Sequence, residues 1–195
     1  MTNKSLTDAD ITAAALDLGV EEAVIKAVIE VEAGKSGFID DKPKILFERH
    51  IFWRRLKAHG FDPTQYMEEN IDILGPDWDR QYYKGGLAEY ERLERASKIH
   101  LVSALESASW GLFQIMGFHW KSLGYESAQQ FVKKMEENER NHLFAFLKFV
   151  KVNGLMNSLR NHDWEEFSRG YNGPGYAQNK YHTKLAKAYE KWSKK

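Results

Sequence analysis

The sequence predicts a mostly α protein of the α+β kind, a helical body carrying one small strand-bearing lobe. Charged and apolar residues recur at three- and four-residue steps along most of the 195 residues. Capping residues and glycines fall where those periodic stretches begin and stop. Only one segment, near 36–48, has a short apolar run of strand character between turn formers. Composition agrees: 43% hydrophobic and 29% charged residues, with six Trp, nine Tyr and eleven Phe, describe a folded chain with bulk for a core. The length fits one domain, expected to occupy 1–195 with its small lobe near 36–86.

Thr7 with Asp10 three residues on predicts the cap of a helix over about 8–17, ended by Gly19. A second helix is expected from Glu21 to Ala33, with Gly34 as its stop. Lys-Ile-Leu-Phe (44–47), behind Pro43, reads as a strand, and 51–59 resumes helical spacing. Asp62-Pro63, Gly75-Pro76-Asp77 and Gly85-Gly86 make 63–86 largely irregular. Further helices are expected over about 87–107, 110–119, 127–137, 139–151, 153–160, 163–170 and 178–193.

Several function classes drop out. Lys+Arg and Asp+Glu both number 28, so no overall field draws the chain to DNA or RNA, and no nucleic-acid partner is expected. Cysteine is absent, which excludes disulfides, thiol catalysis and cysteine-ligated zinc. Asp8, Asp10, Thr12 and Asp17 interrupt the opening segment, so it does not read as a signal peptide. No run approaches the roughly 18 apolar residues a membrane span needs. Seven histidines raise a zinc-amidase alternative, but His119, His142, His162 and His182 lack ligand spacing and no His-Glu-x-x-His helix occurs. Neither metal nor cofactor is expected.

The second helix holds the most informative residue. Ile25, Val28, Ile29 and Glu32 lie at i, i+3, i+4 and i+7, so a carboxyl ends an apolar stripe, while Lys26 and Glu30 fall on another face. Withdrawal from water raises a carboxyl pKa, and the negative end of a helix pushes the same way. Such a group suits general acid catalysis. The alternative is a Glu at a helix end paired to Lys or Arg.

Two more motifs follow. In SASWGLFQIMGFHW (107–120), Gly111 and Gln114 interrupt the apolar run of Leu112, Phe113, Ile115 and Met116. They imply close backbone approach and one amide aimed into a cleft, or a glutamine that merely satisfies its own loop. In RGYNGPGYAQ (169–178), Tyr171 and Asn172 precede the Gly173-Pro174-Gly175 turn, which presents a phenol and an amide or simply reverses the chain.

The three motifs in this order resemble the lysozyme superfamily, in particular goose-type lysozymes and lytic transglycosylases. Those have a catalytic Glu at a helix end, a Gly-Leu-Met-Gln-Ile segment and a Tyr-Asn-Ala-Gly turn; the counterparts here are Glu32, Gly111–Ile115 and Tyr171-Asn172-Gly173. A closer resemblance is to the N-acetylmuramidase group of phage endolysins, carried by Val31-Glu32-Ala33-Gly34, by Ile45-Leu46-Phe47-Glu48-Arg49-His50 and by SASWGLFQIMG. It covers about 20–190, leaving no room for a separate wall-binding module. Phe113 replaces Met, Gly173-Pro174 replaces Ala-Gly, and Ala33 stands where transglycosylases place Ser; the missing Ser weakens a transglycosylase reading.

The resemblance implies a lysozyme-like fold with a cleft beside the small lobe, and a substrate, the β-1,4 bond between N-acetylmuramic acid and N-acetylglucosamine in peptidoglycan. It implies Glu32 as catalytic acid. Glu48 is the candidate water-activating base; about 6.5–9.5 Å between the two carboxyls would predict inversion. Its alternative is a cap or an anchor for Arg49. Gln114, Tyr171, Asn172 and Gly111 are candidate sugar-binding residues, with Ser107 and Ser109 supporting the acid or the substrate by hydrogen bonds. A monomer is expected, held in the host cytoplasm until released to the wall. A transglycosylase and a non-catalytic glycan-binding protein are the competing classes.

The C-terminal segment places Leu185, Tyr189 and Trp192 on one helical stripe and Lys184, Lys187, Lys191, Lys194 and Lys195 on the other side. Either the stripe docks on the core, or the cationic end contacts anionic outer-membrane or wall polymers.

Overall fold

Thr7 opens the first helix, α1 (Asp8–Leu18), through a full capping box. Its hydroxyl accepts from the Asp10 N–H at 3.3 Å, while the Asp10 carboxylate accepts from the Thr7 N–H at 3.0 Å. Gly19, at φ +65°, closes the helix by donating to the Ala15 and Leu16 carbonyls. The structure, a computed structural model, describes residues 4–33 and 36–194. In chain order there follow α2 (Glu22–Glu32), strands β1 (Phe38–Ile39), β2 (Lys42–Pro43) and β3 (Ile45–Phe47), and α3 (Arg49–Ala58). Next come α4 (Ala88–Glu106), β4 (Ala108–Trp110), β5 (Ile115–Met116) and α5 (Ala128–Glu137). The chain ends with α6 (Glu139–Val152), α7 (Met156–Arg160), α8 (Trp164–Asn172) and α9 (Tyr181–Ser193). The expected stop at Gly34 lies outside the described residues.

The chain divides into two compact units, residues 1–37 with 138–195 and residues 38–137. The first unit is all helix. Its core is the apolar stripes of α1, α2, α6, α8 and α9: Ala15, Leu18, Ile25, Val28, Phe146, Val150, Phe167 and Leu185 are buried. α2 packs most extensively on α9, and α8 also packs on α9. Tyr189 donates to Glu21, and the Trp192 indole donates to Glu30 at 2.9 Å. The apolar stripe of the last helix is therefore a docking face. Lys195 lies outside the described residues.

The second unit holds the strands. β1 and β2 form a two-residue hairpin whose turn residues Asp40 and Asp41 have positive φ. β3, β4 and β5 form an antiparallel sheet in that order, pairing Ile45 with Trp110 and Phe47 with Ala108, then Ser109 with Met116. Phe47, Phe52, Leu56, Ile73, Leu74, Ala96, Trp110 and Phe131 are buried here.

Two elements differ from the sequence expectation. The segment read as a helix over 110–119 is a β-hairpin: Gly111 at φ +72° and Gln114 at +50° turn the chain, and a short apolar run does not distinguish helix from strand. The strand-bearing unit therefore runs to Glu137, where the sequence placed a lobe near 36–86. The helix expected over 87–107 is present as α4 but breaks at His100, whose backbone is extended at φ −157°, ψ 107°. Its Nδ1 accepts from the Ser103 N–H at 3.3 Å and lies 2.8 Å from the Ser103 hydroxyl, so the imidazole restarts the helix as a side-chain cap.

Candidate active site

The sequence-predicted site residues fall into two groups, one in each unit. In the first unit, Glu32 is the last residue of α2, and the Ala33 N–H closes the helix on the Ile29 carbonyl at 3.0 Å. Asn172, the last residue of α8, donates its side-chain amide to Glu32 Oε1 at 3.1 Å. Two helix C-termini thus converge on one carboxyl. Burial raises the Glu32 pKa above the ordinary glutamate value, and the Asn172 hydrogen bond and the Lys184 charge only partly oppose it.

Tyr171 stacks on Phe167 at 5.5 Å between ring centres and meets Phe146 and Phe149 edge-on. Burial, then the Glu32 charge, pushes its phenol well above its usual range. The ring is packed as part of the wall around Glu32, and the side chain that reaches the carboxyl is Asn172. Gly173, at φ +73°, turns the chain immediately after it.

In the second unit, β3 delivers Glu48 to the N-cap of α3, but no hydrogen bond from its side chain caps the helix. The carboxyl instead accepts from the Tyr83 hydroxyl and lies 3.4 Å from His50 Nδ1. Burial raises its pKa; Tyr83 and Arg92 pull downward, and Glu89 adds to the rise. Burial and the charges of Arg54 and Arg49 depress the His50 pKa, so the imidazole beside Glu48 is disposed to be neutral.

Beneath Glu48 sits a buried ion pair. Arg92 Nη1 donates to Glu89 Oε2 at 2.7 Å and to the Phe47 carbonyl at 2.8 Å, with both charged side chains fully buried. The Glu89 carboxylate also accepts from the backbone N–H groups of Phe47, Lys84 and Gly85 at 3.1, 2.7 and 2.9 Å. The pair thereby holds the residue before Glu48 and the residues after Tyr83. Glu106 makes a second such node, accepting from Arg55, His59 and Trp120, each at 2.8 Å.

The remaining predicted residues lie around the hairpin. Glu48 donates its N–H to the Ser107 carbonyl at 2.9 Å, so the Ser107 backbone positions it. The Ser107 hydroxyl is fully buried and donates to Ser103. Ser109, 6% exposed, donates to Gln114 Oε1 at 2.8 Å. Gln114 is exposed, and its Nε2 donates to the Gly111 carbonyl at 2.8 Å. Gly111 donates its own N–H to the Lys44 carbonyl at 2.8 Å. The amide and Ser109 thus brace the hairpin turn, and Ser107 ties its own side chain to the end of α4. Tyr83, Glu89, Arg92 and His50 were not singled out as site residues from sequence. A signal existed for His50, two residues after Glu48, but nothing local ties Glu89 and Arg92 to Glu48, since their bonds to the Phe47 backbone span 42 and 45 residues.

The fold is mostly α and lysozyme-like, and the candidate residues include two partly buried carboxyls with raised pKa, groups of the kind glycosidases use. The family model of N-acetylmuramidases matches residues 21–193, and the chain belongs to that family. The whole chain is also similar to the crystal structure of the endolysin of Burkholderia phage AP3. Identity is 41% and the TM-score 0.93, over 100% of this chain and 74% of that one. No curated protein matches. Peptidoglycan cleavage by a phage endolysin of the muramidase group is the activity these likenesses support.

Proposed function

We propose that this protein hydrolyses the β-1,4 bond between N-acetylmuramic acid and N-acetylglucosamine in peptidoglycan, with Glu32 as general acid, and so lyses a phage host. The observation that carries the proposal is the Glu32 carboxyl. It is partly buried at the meeting of two helix ends, its pKa is raised by that burial, and it has a neutral amide as hydrogen-bond partner. Glu32 gives its proton to the glycosidic oxygen as the C1–O bond breaks, which releases the neighbouring sugar as an alcohol. Glu48 takes one proton from a water whose oxygen bonds to C1. Solvent reprotonates Glu32 and deprotonates Glu48, and each product has gained one part of water.

Tyr83 supports this role for Glu48, because a phenol donating to a carboxyl stabilises the ionised form a base requires. Tyr171 and Asn172 are proposed to face the sugar beside the scissile bond, and the Gln114 hairpin to present its exposed amide to the glycan. The protein acts as one domain and a monomer. No helix among the described residues is long and apolar enough to cross a membrane. The protein is proposed to wait in the host cytoplasm until another agent opens the inner membrane.

Purified sacculi digested with the protein and analysed by mass spectrometry test the reading. Reducing-end N-acetylmuramic acid is the expected product. Reducing-end N-acetylglucosamine would contradict the bond assignment, and 1,6-anhydro-muramyl ends, one water lighter, would make the enzyme a transglycosylase. The anomer first formed, read by NMR, tests the Glu48 role, since activation of water on the opposite face gives inversion.

A further inference from the structure

Beside Glu32, a surface concavity of about 420 Å³ is lined by Glu30 and Val31 of α2 and by Lys184, Lys187, Ala188 and Lys191 of α9. Its three ammonium groups are unequal. Lys191 is spent on Glu30 at 2.7 Å, and the Trp192 indole donates to the same carboxylate oxygen. Lys184 lies over the Tyr181 ring at 5.3 Å and near enough to Glu32 to act on its charge. Lys187 makes no ion pair among the described residues. The Glu30–Lys191–Trp192 cluster fixes one wall, Val31 and Ala188 supply apolar floor, and two cations remain to meet a ligand.

We infer that this concavity binds the peptide borne by the muramic acid whose bond is cut, with Lys187 and Lys184 pairing its carboxylates and Val31 with Ala188 receiving its alanine methyl groups. The inference rests on the muramidase reading and deepens it. Val31 precedes Glu32 in the chain, so an acid placed at the glycosidic oxygen brings the concavity alongside the adjoining sugar. The substituent of that sugar, a short peptide on a lactyl ether, combines free carboxylates with small apolar side chains. A concave site with local cations and an apolar floor suits such a ligand better than an extended anionic polymer, which asks for a broad, even field.

The test uses soluble uncross-linked glycan strands in two forms, with peptides intact and with peptides removed by an amidase. Reducing ends released by each variant are compared with the wild type on the same strands. Lys187→Glu is expected to lose about two- to fivefold or more on peptide-bearing strands, the size of an exposed charge pair, and nothing on bare strands. Lys194→Glu, the same charge change outside the concavity, is expected to match wild type on both. Equal loss of Lys187→Glu on the two substrates, or no loss on either, overturns the inference. So does an equal loss in Lys194→Glu, which would assign the lysines to general attraction by an anionic wall or outer-membrane polymer. A wild-type protein that cut neither substrate would instead overturn the muramidase reading, and the inference with it.

Discussion

Glu32 in the first unit and Glu89 in the second are both glutamates withdrawn from water, yet their proton affinities move in opposite directions. Burial pushes each upward. Around Glu89, three backbone N–H groups and the Arg92 guanidinium outweigh that push and hold the carboxyl below the ordinary glutamate value. Around Glu32, one side-chain amide and the Lys184 charge do not, and the carboxyl keeps its proton to higher pH. Depth of burial therefore does not set the direction in which a buried carboxyl shifts. Glu89 is the more deeply buried and serves as scaffold, and the chemistry of the partners separates the roles. Glu48 is raised by burial as Glu32 is, with a phenol and a nearby imidazole as neighbours and the Arg92 charge opposing the rise.

The largest expected effect breaks the comparison at Glu32, the proposed acid. Glu32→Gln keeps the shape and removes the proton, so release of reducing ends should fall about 10²–10⁴-fold with the circular dichroism spectrum unchanged. Near wild-type turnover would remove Glu32 from the mechanism. At the scaffold end, Glu89→Ala leaves Arg92 buried without its counter-charge. Chemical denaturation should show a loss of about 3–5 kcal/mol, or failure to fold. A loss below about 1 kcal/mol would mean that the guanidinium finds other partners.

A smaller change tests the partner of Glu48. Tyr83→Phe deletes the hydrogen bond that favours ionised Glu48, so the Glu48 pKa should rise and the acid limb of kcat/KM should move to higher pH, with a drop of about tenfold below it. An unmoved acid limb would take Glu48 out of the pH profile. The smallest effect lies in stability against pH. Glu89, held below its unfolded pKa, contributes stability that is present above the unfolded value and lost as pH falls through the folded one. Glu32, held above, contributes stability that is full below the unfolded value and lost as pH rises through the folded one. Glu32→Gln should therefore be more stable than wild type at neutral pH and gain nothing in acid, as thermal melts at the two pH values would reveal.

The contrast also explains what the sequence disclosed. Glu32 was legible because its surroundings are local: an i, i+3, i+4, i+7 stripe on one helix put a carboxyl among apolar residues, and the helices, spaced by caps and glycines, followed the same periodicity. The Thr7–Asp10 box was legible for the same reason. The Glu48 surroundings were not, because Tyr83 lies in a long irregular segment that periodicity does not describe, and Glu89 and Arg92 on α4 bond to the Phe47 backbone across more than forty residues. The hairpin at 108–116 was misread as helix, since its register comes from β3, more than sixty residues earlier, and its turn from two positive φ values. Of the two readings open for Gln114, the side chain in the structure satisfies its own loop, its amide folded back on Ser109 and Gly111.

A carbon-13 NMR titration of the glutamate carboxyls, with the Glu32 signal assigned by its absence from Glu32→Gln, measures the central quantity directly. The account predicts a midpoint above the ordinary glutamate value of about 4.3, coinciding with the alkaline limb of activity. A midpoint at or below that value would leave Glu32 ionised at working pH and contradict its role as the acid.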